Sequence, residues 1–303
     1  MIDTAVEIAG LYLRNPLLPG SGPPGATLRK LRKLEAAGIG ALLAKTISSI
    51  PAEVPKPCMA FDGELFFNIE KWSEIPAGEW IKEILPALQE RKVPLLVSVG
   101  YTPEDVKELF PKLDEWVDGY ELSTHYRTSS QEQYRALVGT AKSLTNKPVI
   151  MKLSAHAPDL LETAKTCEDS GADAITAINS IGPVLSIDIE KRASRLGVEA
   201  PYAWLSGPAI KPLAMRAVYD IARTVKIPVI ACGGVRDGRD VIEFMMAGAT
   251  AVQSCTTLIR SGPEWIGTAL QEITAWCETH HVNSLKELIG TVTPHYISSR
   301  EQK

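Results

Sequence analysis

The chain has 303 residues, is 45% hydrophobic and 22% charged, and carries a formal net charge of -4. That is an ordinary soluble globular composition with enough apolar residues for a full core. It offers no basic footprint for nucleic acid, no apolar run of membrane-spanning length and no signal-peptide pattern in MIDTAVEIAG, so a cytoplasmic protein is expected.

Residues 5–14 (AVEIAGLYLR) alternate apolar and polar positions around Ala-Gly. That is the pattern of a β hairpin, expected to plug the bottom of the fold. Eight short apolar strands follow, over 17–19, 41–46, 95–99, 119–122, 149–153, 174–178, 229–232 and 249–254. Helices are predicted between them, for example over 27–37, 103–116, 131–144 and 157–170, with two more in the tail at 264–279 and 284–289. A loose repeat supports this division. AGIGALL (37–43), SGADAIT (170–176) and AGATAVQ (247–253) each close a helix on glycine and open a strand.

Strands this apolar imply a parallel sheet buried on both faces, and eight of them suit closure. The expected fold is therefore α/β, a single eightfold β/α (TIM) barrel occupying 1–303 as one domain. Two stretches exceed an ordinary connection: 49–78 after the second strand and 181–204 after the sixth. Both follow strand ends, so they are expected to wall or lid a pocket at the C-terminal face.

Gly20-Ser21-Gly22-Pro23-Pro24-Gly25 fits the dinucleotide pattern GxGxxG. Pro23 and Pro24 have no N–H for a pyrophosphate, and the acidic residue expected about twenty positions on is absent. Gly20 and Ser21 are instead expected to let the backbone pass close to a flat ligand over the barrel mouth. Lys45 (LLAKTI) and Lys152 (VIMKLS) end buried strands, so both ammonium groups point into that mouth, where burial without an anion is costly.

Two further strand ends are made of small residues: Gly233-Gly234, and Cys255-Thr256-Thr257. They fall on the last two strands and offer free N–H groups to one phosphate. Two lysines, a phosphate cradle and no metal cluster suggest an electron-rich phosphorylated cofactor, which flavin mononucleotide (FMN) fits. One lysine would stabilise negative charge on the reduced flavin and the other would sit near its reactive nitrogen. The five cysteines include no CxxC pair, so an iron–sulfur centre, if one takes part, belongs to another subunit.

Asn68 (LFFNIEK) and Asn179 with Ser180 (AITAINS) present donors and acceptors suited to a planar polar substrate. The run ELSTHYRT (121–128) is dense in proton-transfer groups. It holds Ser123, His125 with a suitable pKa, Tyr126 as a neutral donor, and Arg127, which could hold a substrate carboxylate. His156 (LSAHAP) is a further candidate; His280, His281 and His295 fall in the tail and are expected at the surface.

These residues resemble class 1 dihydroorotate dehydrogenases and the pyrimidine-binding domain of dihydropyrimidine dehydrogenases. The likeness runs through NPLLPGSG (15–22), AKTI (44–47 within LLAKTI), MKLS (151–154), INS (178–180), LSGPAIKP (205–212), IACGGV (230–235) and AGATAVQ (247–253). It implies that Lys45, Ser98, Lys152, Ser206, Gly207, Gly233, Gly234, Cys255 and Thr256 contact FMN, and that Asn68 and Asn179 bind substrate. The family carries N-x-S-C-P-N after strand four, with cysteine as the catalytic base. Laid without gaps from the shared Glu-Leu, that cysteine becomes Tyr126, and the two asparagines become Ser123 and Thr128. The family's G-L-Q-N-P-G stretch is also missing; 69–76 reads IEKWSEIP. Cofactor motifs remain while substrate motifs have changed.

Three readings follow. The first is an FMN oxidoreductase moving hydride at one carbon of a C–C bond of a small polar carbonyl or cyclic substrate other than dihydroorotate. Tyr126, then His125, would move the proton, with Lys45 among the catalytic groups. A homo-oligomer is expected, and a separate electron-transfer subunit could serve it. The second is a lyase or aldolase using a buried lysine as a Schiff base. The third is a non-catalytic flavin subunit of a redox complex.

Overall fold

The computed structural model describes residues 2–124, 130–157, 159–196 and 201–292. Its centre is an eight-stranded parallel sheet. The strands are β1 (Leu17–Pro19), β2 (Leu42–Ile47), β3 (Leu95–Val99), β4 (Gly119–Ser123), β5 (Val149–Leu153), β6 (Ala174–Ala177), β7 (Val229–Cys232) and β8 (Ala249–Ser254). Hydrogen-bonded neighbours run β1-β8-β7-β6-β5-β4-β3-β2. The ring is nearly closed. Between its two ends the Gly40 N–H donates to the Leu17 carbonyl at 3.0 Å. A Cβ on Gly40 would lie 2.0 Å from the Asn15 carbonyl oxygen, so only glycine lets the chains meet at this seam.

Helices α1 (Leu28–Ala36), α2 (Pro103–Leu113), α3 (Gln131–Lys142), α4 (Leu160–Asp169), α5 (Lys211–Ala222), α6 (Gly238–Ala247), α7 (Thr256–Ser261) and α8 (Trp265–Thr279) flank the sheet. With side chains inside the ring and helices outside it, every residue of β2, β3, β4 and β5 is buried. That explains strands without polar alternation. The repeat glycines Gly38, Gly171 and Gly248 sit at helix ends with φ of 94°, 98° and 120°, the left-handed region that glycine enters without penalty.

Five strands keep their predicted bounds. β2 is displaced by one residue, β4 extends to Ser123 and β6 stops at Ala177. The helix expected over 103–116 turns into a 3-10 segment after Leu113, and the one expected from 157 starts at Leu160 because Asp159 caps the N–H groups of Leu161 and Glu162. The tail segment at 284–289 is a 3-10 turn over Leu285–Leu288.

The N-terminal hairpin pairs Val6–Ile8 with Leu11–Leu13. Val6, Ile8 and Leu13 are buried in the main core. Just after it, Arg14 Nε and Asn15 Nδ2 donate to the carbonyls of Ile39 and Gly38, at the N-terminal end of β2. The hairpin therefore closes the bottom, as expected.

The two long excursions do not remain loops. Met59–Asp62, Leu65–Asn68, Ala203–Ser206 and Ile181–Val184 join in one antiparallel sheet, with Leu65–Asn68 paired directly to Ala203–Ser206. Phe67, Leu196 and Ala203 form a small second core there. This cover sheet lies over the C-terminal ends of the barrel strands, and its Phe66, Asn68 and Ser206 line the cleft between. Among the described residues, no helix is long and apolar enough to cross a membrane.

Candidate active site

The cleft lies between the strand ends and the cover sheet, and polar and apolar side chains both line it. Strand ends supply its lower wall: Gly20 and Ser21 after β1, Thr46 on β2, Ser123 on β4, Lys152 on β5, Asn179 after β6, Gly233 after β7 and Gln253 on β8.

The floor is polar although the strands are apolar. Inward positions of β3, β4, β5, β6 and β8 carry Ser98, Glu121, Lys152, Thr176 and Gln253, each at most 4% exposed. Lys152 Nζ donates to Gln253 Oε1 at 2.9 Å and to Ser21 Oγ at 3.3 Å, and lies 3.6 Å from Glu121 Oε1. Gln253 Nε2 and Thr176 Oγ1 both donate to Glu121 Oε2. Burial alone would push the Lys152 ammonium down, but the neighbouring Cys232 and Glu121 outweigh it and hold the group above its ordinary value. Lys152 is thus a fixed cation on the pocket wall.

A second pair stands on the opposite side. Lys45 Nζ lies 2.5 Å from Glu70 Oε2, and the Cys58 thiol donates to Glu70 Oε1 at 3.1 Å. Glu70 is on the pocket wall, the only carboxylate there among the described residues. Burial first, and then Glu70, push the Cys58 thiol up to about 11, so it stays protonated at neutral pH.

The β7 and β8 ends carry no charged side chain on the wall. The backbones of Gly207, Gly233 and Gly234 meet there, next to Cys255 and Thr256. The N–H groups of these glycines make no hydrogen bond among the described residues, and the first N–H groups of α7 have no partner within their helix. Unpaired donors of this kind, with a neutral thiol pushed up to about 12 mainly by burial at Cys255, fit a phosphate.

The glycines also have a packing role. A Cβ on Gly234 would lie 2.6 Å from Lys211 Cβ and 2.7 Å from Lys211 N; on Gly233, 2.9 Å from Ala214 Cβ. Their first task is to let the start of α5 pack against the β7 end. Gly25 likewise makes room for the Leu43 carbonyl oxygen, which a Cβ would meet at 2.1 Å, and Gly20 for Cys255 Cβ, which one would meet at 2.9 Å.

Most of the sequence-predicted residues come together. Gly20, Ser21, Lys152, Ser206, Gly207, Gly233, Gly234, Cys255 and Thr256 line the one cleft, as do Asn68, Ser123, Asn179 and Ser180. Lys45 and Ser98 are not on its wall. Lys45 is held behind Glu70, and Ser98 shares a 2.8 Å hydrogen bond with Thr46 below it. His156 is occupied structurally, its Nε2 accepting from the Gly182 N–H at 3.1 Å. His125, Tyr126 and Arg127 lie outside the described residues, as does His295; His280 and His281 are exposed. Sequence reasoning missed Glu70, Glu121 and Gln253. A signal existed for two of them: Glu121 is the one charged residue and Gln253 the one amide in their buried strands (GYELS, ATAVQS).

The family model for dihydroorotate dehydrogenase matches residues 3–276. A relative from Geotalea uraniireducens, named dihydroorotate dehydrogenase B (NAD(+)), catalytic subunit, is 34% identical over 96% of this chain and 98% of its own length. Relatives of the same name from Methanothermobacter thermautotrophicus and Geobacter sulfurreducens are 33% and 34% identical with the same coverage. The chain belongs to the dihydroorotate dehydrogenase family, and with it to the FMN-dependent oxidoreductases acting on CH–CH groups.

Proposed function

We propose that this enzyme oxidises or reduces a C–C bond in a small, uncharged, cyclic or conjugated carbonyl compound, and that dihydroorotate is not its good substrate. Family membership decides against the Schiff-base and non-catalytic readings. The ion pair of Lys45 with Glu70 also withholds the free amine that a Schiff base needs.

The observation that carries the proposal is Glu70. Beside Lys71 and Lys152 on the same wall, this carboxylate favours a substrate that offers it an N–H or O–H donor over one that places an anion next to it. It also spends the nearby Lys45 cation, which a substrate carboxylate would otherwise use. Ser123 stands where the family has asparagine, and neighbouring Thr124 is committed to the Lys152 carbonyl at 2.7 Å.

FMN would be held by the N–H groups around Gly207, Gly233, Gly234 and Thr256, with Ser21 and Lys152 on the floor. When bound, it supplies hydride chemistry. The chain's own residues then orient substrate through Asn68, Asn179 and Ser180 and move a proton, a task we assign to Tyr126 with His125 as second candidate. We take 1–303 to act as one FMN-binding domain. The relatives are named as catalytic subunits of NAD(+) enzymes. On that basis we also propose a separate subunit that exchanges electrons with this one.

Anaerobic flavin bleaching tests the substrate reading. Neutral cyclic carbonyl compounds with N–H groups should bleach the flavin, and dihydroorotate should be slower by roughly 10⁴ where polar groups go unpaired. Bleaching by dihydroorotate as fast as by the best neutral compound would refute it.

A further inference from the structure

The pocket floor holds a buried carboxylate that neither the proton transfer nor the phosphate cradle uses. We propose that Glu121 is a positioning residue that sets the reduction potential of the bound cofactor by fixing Lys152 and partly cancelling its charge; this rests on FMN occupying the cleft.

Glu121 is fully buried and off the pocket wall, whereas its partners Lys152 and Gln253 are on it. Oε2 accepts from Thr176 Oγ1 at 3.0 Å and from Gln253 Nε2. Those two bonds immobilise the carboxylate. They also fix which way the Gln253 amide faces, so that its oxygen meets the Lys152 ammonium at 2.9 Å. Oε1 accepts no hydrogen bond and lies 3.6 Å from that ammonium, within ion-pair range but beyond hydrogen-bond reach.

Leaving a buried acceptor unsatisfied is costly, and a neutral amide could brace the same strands. What the carboxylate adds is a negative charge beneath the most deeply buried cation on the described wall. In a low-dielectric site a cation favours the electron-rich, reduced form of a neighbouring cofactor, and a fixed anion behind it weakens that preference.

The test is a dye-equilibrium titration of the FMN-loaded Glu121→Gln enzyme at pH 6, more than four units below the ordinary lysine value of about 10.4. The ratio of reduced to oxidised cofactor at a fixed potential should rise about tenfold, a positive shift of about 30 mV for a two-electron couple. Thr176→Val removes a hydrogen bond from Glu121 but no charge, and should change the ratio less than twofold. Should Glu121→Gln not fold, Glu121→Asp retracts the carboxylate and should move the ratio the same way, by at least twofold. An unchanged or more negative potential in the Glu121 variant used, or an equal shift in Thr176→Val, overturns the proposal. A wild-type protein that neither contains nor binds FMN would overturn the cofactor assignment and the proposal with it.

Discussion

The two sides of the cleft are built in opposite ways. Above β7 and β8 the wall is backbone and small side chains, and the tightest constraints are steric, as where Gly234 meets Lys211. Around β5 and the first excursion the wall carries long charged side chains, two of them tied to an opposite charge behind the wall: Glu70 to Lys45, Lys152 to Glu121. Backbone donors serve any phosphate and tolerate no added volume. Charge pairs tolerate volume changes better but depend on both members. One side therefore suits an invariant cofactor, and the other can be retuned for a new substrate.

The largest expected effect lies on the substrate side. Tyr126→Phe should slow the substrate half-reaction by roughly 10²–10⁴ with FMN retained; if His125→Asn shows that loss instead, the proton belongs to His125. On the cofactor side, Gly234→Val forces a β-branched residue to φ 82° and into Lys211. Thermal unfolding should report a loss of about 3 kcal/mol or more, and flavin content should fall with it. Full flavin loading and unchanged unfolding would show that the steric account of this side is mistaken.

Glu70→Gln strips Lys45 of its buried counter-ion. It should cost about 2–3 kcal/mol, somewhat below or at the low end for a fully buried pair, because Glu70 is partly exposed. FMN should stay bound, while discrimination against anionic substrates relaxes, read as a lower KM for dihydroorotate.

Each side also has a buried aspartate anchor. Asp240 holds the Arg236 N–H and the Lys211 ammonium beside the β7 end. Asp105 holds Ser48, Ser49, Tyr101 and Thr102 beside the β2 end. Burial opposes the charged form of both, but the hydrogen bonds they accept outweigh it and hold both carboxyls below their ordinary value. Their contribution to stability is present above the unfolded value of about 3.9 and is lost as pH falls through the lower folded one. Urea midpoints measured from pH 6 down to 2.5 should fall less steeply in Asp240→Asn and Asp105→Asn than in wild type. Only Asp240→Asn should also speed FMN release.

The smallest effect is alkaline. The Cys58 thiol, pushed up to about 11, contributes stability that is complete below the unfolded value of about 8.5 and declines as pH rises toward the folded one. Cys58→Ala should flatten that decline, and maleimide labelling of Cys58 in the folded enzyme should be slow at pH 8.

The sequence by itself determined the barrel, its hairpin and the small-residue ends of its last two strands. Those are local codes. Apolar runs bounded by glycine and proline mark strands, a glycine after a helix marks its end, and glycines at a strand end mark where another backbone comes close. Only the tertiary structure decided the rest. The cover sheet needs Asn68 opposite Trp204, a pairing no local pattern reports. Lys45 was legible as a buried cation, but that Glu70 neutralises it depends on the first excursion folding back over the mouth. The polar floor likewise exists because five strands bring Ser98, Glu121, Lys152, Thr176 and Gln253 together inside one nearly closed ring. Burial there gives each charge an obligatory partner, and that partner is chosen by proximity in space, which one-dimensional spacing does not encode.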